Sequence, residues 1–225
     1  GLIKSSRFVK RDGRPTDDAT ITKRMIDHAI RPLFPSDYKD DVQVIVTVLS
    51  LEEDADPEFV ALIATSAALH ASNIPWNGPM VSARVGYVDT KYIVNPSLSD
   101  LEEKSDLDML ISFVGPEKKF LAVEAEVNIL SEDVILGAMN YARDSLDDVY
   151  KLIEDFSNEV NPKHSKYEYE SQAIPQEVLD ALKPLLQEDI TKAVIHDFAE
   201  GETYKSLHHK MEELVFTEFE GKFKK

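Results

Sequence analysis

Cysteine is absent from the 225 residues, and that absence removes disulfides, thiolate metal sites and thiol nucleophiles together. It fits a reducing compartment, and a cytoplasmic location is the expectation. Long apolar runs are missing too. A membrane-spanning helix needs about 20 apolar residues, whereas the two best stretches, 42–51 and 59–69, are broken by Gln43, Thr47, Ser50, Thr65 and Ser66. No membrane partner is expected. Glycine is scarce at eight residues, and Gly13, Gly78, Gly86 and Gly115 stand in neither Walker nor dinucleotide spacing. A glycine loop cradling phosphate therefore has no support. The six histidines show no metal-ligand spacing. His28 and His70 read as ordinary helix side chains, and the neighbours His208 and His209 diverge from one another on a helix. The chain opens on Gly1-Leu2-Ile3-Lys4, with neither an initiator methionine nor a signal-peptide core, and reads as the middle of something longer.

What is present is charge, unevenly spread. The formal net charge is −17, which by itself argues against a general nucleic-acid binder. Residues 1–31 nevertheless carry eight cations against four anions, a balance of +4, so the remainder sums to −21. Such segregation draws a polyanion to one place and repels it elsewhere, which suits guiding a strand better than coating it. The same numbers also describe an acidic surface with one basic loop, and charge alone does not choose.

The local pattern points to an α+β layer followed by helices. Residues 1–15 read as a loop. Thr16 or Asp17 caps a helix whose apolar face is Ile21, Met25, Ile26 and Ala29, stopped near Pro32 and Pro35. Residues 42–51 read as a strand covered on both faces. Asp54 to Asp56 and Pro57 start a second helix reaching about Asn73. Residues 81–88 with 92–94, and 107–114 with 120–127, read as two hairpins. Ser131 is placed to cap a helix with an apolar stripe of Ile135, Met139, Ala142, Leu146, Val149 and Ile153. Residues 161–165 look like a linker. Beyond it a small all-helical unit at 166–225 is expected, its first helix whole or divided near Pro184, and then broken at Gly201.

No catalytic constellation emerges. Glu124 and Glu126 share one face of a strand by alternation and could hold a hard cation, or face solvent, or pair with a base. The strongest chemical signal is the loop Arg7-Phe8-Val9-Lys10-Arg11-Asp12-Gly13-Arg14. Its cations suit phosphates, Phe8 offers a stacking surface, and Gly13 permits close backbone approach. A surface loop with Phe8 turned into the core is the competing reading, and both stay open.

Here a family resemblance enters. The run Phe8-Val9-Lys10-Arg11-Asp12-Gly13-Arg14-Pro15-Thr16, then Ile30-Arg31-Pro32-Leu33-Phe34-Pro35, resembles the first RNase PH-type domain of the bacterial polynucleotide phosphorylase family. Val42-Gln43-Val44-Ile45, Ile74-Pro75-Trp76-Asn77-Gly78-Pro79, Ala83-Arg84-Val85-Gly86-Tyr87, Asn95-Pro96, Leu107-Asp108, Val123-Glu124-Ala125-Glu126 and Leu130-Ser131-Glu132-Asp133 continue in the family order. The resemblance spans residues 1–160, read as a first RNase PH-type domain lacking its start. Residues 166–225 are similar in helical character to the family's linker domain.

The resemblance implies an RNase PH-like (ribosomal protein S5 domain 2-like) mixed sheet with packed helices. It also implies a homotrimer that degrades mRNA from its 3′ end, using inorganic phosphate. The family's phosphorolytic site and its Mg²⁺ lie in the second such domain, so this chain is expected to hold no catalytic residue and no metal, and to be inactive alone. By position, Phe8 would stack on single-stranded RNA, and Lys10, Arg11 and Arg14 would contact its phosphates. The pattern departs at Val9, where a second aromatic is common, and at Lys10, where arginine is frequent; a lysine offers a point charge instead of a planar fork. Two other classes remain in view: an assembly domain without RNA contact, and an enzyme in its own right with metal on Glu124 and Glu126.

Overall fold

The computed structural model of the chain describes residues 15–52, 54–171, 173, 176–196 and 204–219. It divides into a first unit ending at Ser171 and a second beginning at Gln172.

In the first unit, α1 (Asp17–Ile30) starts where Thr16 accepts the Ala19 N–H on its Oγ1 at 3.2 Å, with Asp17 and Asp18 at the positive end. A single turn of 3-10 helix at Arg31–Leu33 follows, since Pro32 has no N–H to continue the α ladder. Helix α2 (Pro57–Ala71) starts at Asp56, whose Oδ1 accepts the Glu58 N–H at 2.7 Å, with Pro57 in the first turn. Strands β1 (Met80–Val88) and β2 (Lys91–Val94) meet at Asp89 and Thr90, both at positive φ, as a two-residue hairpin loop demands. A short helix α3 (Leu98–Lys104), capped by Ser97, leads to the second hairpin of β3 (Leu107–Val114) and β4 (Lys119–Val127), which turns through Gly115 at φ 73°.

The four strands form one antiparallel sheet in the order β2-β1-β3-β4. Alternation sends Val81, Ala83 and Val85, with Leu107, Met109, Ile111 and Phe113, into one core. That core is closed by Ala138 and Ala142 of α4 (Glu132–Asp144) and by Ile153 of α5 (Asp147–Val160). Met80 and Leu110 join a second core with Ile26, Ala29 and Ile30 of α1, Leu62 and Leu69 of α2, and Trp76. The second unit carries α6 (Gln176–His196), which continues through Pro184, and α7 (Tyr204–Phe219).

Two expectations are corrected. The single helix expected after Ser131 is two, broken at Ser145 and Leu146. Ser145 Oγ returns to the Ala142 carbonyl at 2.7 Å, Leu146 drops into the core, and Asp147 and Asp148 open a new N-terminus. Ser131 does hold the cap position of α4, although its side chain makes no capping bond. Residues 42–51, expected as a strand covered on both faces, form no regular element. Ile45 and Leu49 stand 76% and 86% exposed. A strand needs a ladder partner and a covering layer, and among the described residues this segment has neither.

Gly137 marks a tight contact. A Cβ there would lie 2.2 Å from the Tyr92 hydroxyl, which donates to the Val134 carbonyl at 3.0 Å. The Tyr92 ring is hemmed in by Tyr87 and Tyr141, so it cannot step aside freely. Gly137→Ala should cost about 1–3 kcal/mol in denaturant melts. Adding Tyr92→Phe should recover part of the loss, and no recovery would show that the crowding lies elsewhere.

Candidate nucleic-acid interface

The loop residues singled out in the sequence, Phe8, Val9, Lys10, Arg11 and Arg14, lie outside the described residues. What is described is the helix that follows them. Burial of Ile26, Ala29 and Ile30 sets the rotation of α1, leaving Lys23, Arg24, Asp27, His28 and Arg31 outward. Ile21, expected on the apolar face, is 54% exposed. The cations of this face are not equivalent. Arg31 is held by Asp27 through Nη2, at 2.7 and 2.6 Å to the two carboxylate oxygens. Among the described residues, Lys23 and Arg24 have no ion-pair partner, so their charge is available to a polyanion.

Glu124 and Glu126 do share a face of β4, in register with Leu110 and Asp108. Glu124 is engaged: its Oε1 lies 3.0 Å from His28 Nδ1, which ties β4 to α1. Among the described residues no three histidine or acidic side chains could hold a metal ion. His208 and His209 do not diverge fully, since both reach Glu212, at 3.7 and 3.9 Å.

Two clusters escaped the sequence reading. Arg84 on β1 forks onto Asp108, with Nε to Oδ1 at 2.7 Å and Nη2 to Oδ2 at 2.6 Å, and Nη1 reaches Glu58 at 3.2 Å. Asp56 Oδ2 lies 2.9 Å from Nη1, a charge contact rather than an aligned hydrogen bond. The Asp108 bonds lead in raising the affinity of this guanidinium for its proton, against the opposing effect of burial. The other cluster gathers His70, Glu154, His164 and Lys166 at the end of α2. Both are assembled from residues far apart in the chain, so no local spacing announces them.

Residues 2–75 match the family profile described as 3′ exoribonuclease family, domain 1, and residues 78–145 match its domain 2. Together the two cover more than half of the chain. The chain belongs to the 3′ exoribonuclease family. Within this family its relatives include the polyribonucleotide nucleotidyltransferases of Legionella pneumophila strains Corby and Paris. Each is 42% identical over 195 residues, which is 87% of this chain and 24% of the relative. The chain thus spans about a quarter of the length of these curated relatives, and it is an RNase PH-type region like theirs. A crystal structure of rice (Oryza sativa) Rrp46 overlays with a TM-score of 0.46 at 14% identity, covering 65% of this chain and 67% of that one. Among the described residues no helix of this family member is long and apolar enough to cross a membrane.

Proposed function

We propose that this chain is the RNA-guiding and trimer-building part of a polyribonucleotide nucleotidyltransferase, a phosphate-dependent 3′-to-5′ exoribonuclease acting in cytoplasmic mRNA degradation. The observation that carries this reading is the outward pair Lys23 and Arg24, unpaired among the described residues, on the helix that directly follows the cationic loop. A strand arriving here meets net positive charge, while the rest of the chain repels it. Phe8 stacks on a base, Lys10, Arg11 and Arg14 contact phosphates, and Val9 stands in the same loop without a stacking face. A homotrimer would present three such loops to one strand, and the shared grip offsets a weak single loop.

Inorganic phosphate and Mg²⁺ belong, in this reading, to a second RNase PH-type domain of the longer protein, and this chain alone is inactive. Its own best metal candidates do not fit a divalent cation. Glu124 is occupied by His28, and no third ligand joins it and Glu126 among the described residues. The test is binding of a single-stranded RNA by the assembled enzyme, followed by fluorescence anisotropy at several salt concentrations. Phe8→Ala with Arg11→Ala should remove about 1–3 kcal/mol for the lost stack and lower the salt slope by about 1. Unchanged affinity at moderate salt would reject the assignment of the loop.

A further inference from the structure

Helix α2 ends in carbonyls that have no partner within the helix, as every helix must. Lys166 closes them. Its ammonium donates to the carbonyls of Leu69, His70 and Ser72 at 3.4, 3.1 and 2.8 Å, a cation placed at the negative end of the helix. The approach is fixed by a turn in which His164 adopts φ 46° and Asn161 bonds both the N–H and the carbonyl of Ser165. Beyond Lys166 the chain stays docked. Tyr167 N–H donates to the Asn73 carbonyl at 2.9 Å, the Tyr167 hydroxyl bonds the Tyr38 hydroxyl and donates to the Asp40 carboxylate at 3.2 Å, and Tyr169 and Ser171 both donate to Asp37. Residues 166–171 are thus a strap on the first unit that leads into the second.

Beside the lysine lies an imidazole without a hydrogen-bond partner. The His70 side chain is 13% exposed, and neither ring nitrogen makes a hydrogen bond. Glu154 Oε1 stands 3.3 Å from Nε2 without the alignment of a bond, and the same oxygen accepts the Tyr150 hydroxyl. The groups whose charge bears on His70 are Glu154 from α5, and Lys166 and His164 from the segment after it. The His164 ring lies 6.4 Å away and is bound to Asn158.

We propose that His70 is the trigger of an acid-operated latch, whose protonation releases Lys166 and the strap 166–171 from the end of α2. Burial first, then the Lys166 and His164 charges, holds the proton affinity of His70 below its ordinary value, against the pull of Glu154. Coupling is reciprocal: a docked ammonium that disfavours the imidazolium is itself disfavoured by the imidazolium. The sign follows. The docked state binds the His70 proton more weakly than the released state, so docking is fully favoured above the ordinary imidazole pKa of about 6.5. It loses ground as the pH falls from there toward the depressed value.

Hydrogen exchange on the full chain tests the latch. Corrected for intrinsic rates, protection of the Tyr167 amide should fall measurably, by at most about tenfold, between about pH 7.5 and about pH 5.5, while His70→Gln should keep it nearly constant. Loss of protection with the same pH dependence in His70→Gln, or constant protection in the wild type, overturns the proposal. A second measurement stands independently of that variant. Lys166→Met should raise the His70 pKa in an NMR titration, and an unchanged pKa would also refute the latch.

Discussion

Replacing Arg84 by methionine should destabilise the first unit by about 3–5 kcal/mol, as breaking a buried ion pair does, and lower its melting midpoint by on the order of 10 °C. Arg84 is 15% exposed and answers three carboxylates from two directions: Asp108 across the sheet, and Asp56 and Glu58 at the start of α2. Its removal leaves Asp56, 3% exposed, as an uncompensated buried charge, and frees the sheet from the helix it anchors. Arg84→Lys should recover only part, because an ammonium cannot fork onto Asp108 while reaching Nη1's two partners. The decisive variant is Arg84→Met with Asp56→Asn. Asparagine still caps α2 but carries no charge, so most of the lost stability should return. If the double variant melts with the single one, the buried charge is not the cause.

The contrast between what was readable and what was not has a physical basis. Thr16, Asp56 with Pro57, and the Asp89-Thr90 turn act on backbone groups within four residues of themselves, and each stands where the pattern placed it. Alternation in β1 and β3 likewise needs no knowledge of a partner to say which side chains go inward. Residues 42–51 show the limit of this logic. Their β-branched composition states a preference for a pleated, covered environment, but the ladder and cover must come from elsewhere, and no such partner lies among the described residues. Helix α3, only seven residues long, has one buried position, Leu101, and therefore no period to detect. The loop 7–14, which lies outside the described residues, stands out in the sequence because cations and an aromatic are crowded into one short stretch. The Arg84 and Lys166 clusters were invisible for the opposite reason: their partners lie 24 to 28 and 94 to 97 residues away in sequence.

Trp76→Ala should cost about 3–5 kcal/mol, a loss set by the size of the side chain and by how little its surroundings can collapse. Trp76 is 4% exposed within the core built from α1, α2 and Met80. Its Nε1 donates to the Ile30 carbonyl at 3.1 Å, satisfying a group at the end of α1, and the next residue's N–H binds the Leu33 carbonyl at 2.9 Å. The ring lies so close over Gly78 that a Cβ there would stand 2.0 Å from Cζ3. Two further variants separate these roles. Trp76→Phe keeps most of the apolar volume but strands the Ile30 carbonyl, at a cost of about 1–3 kcal/mol. Gly78→Ala keeps the indole but drives it from its seat, for a loss of similar size. Because Trp76 is the only tryptophan of the chain, its emission reports the second case directly: a buried indole in the wild type should move to the red in Gly78→Ala. A wild-type emission maximum already that of exposed indole, or a Trp76→Ala variant within about 0.5 kcal/mol of the parent, as an ordinary surface substitution would be, would remove Trp76 from the core assigned to it.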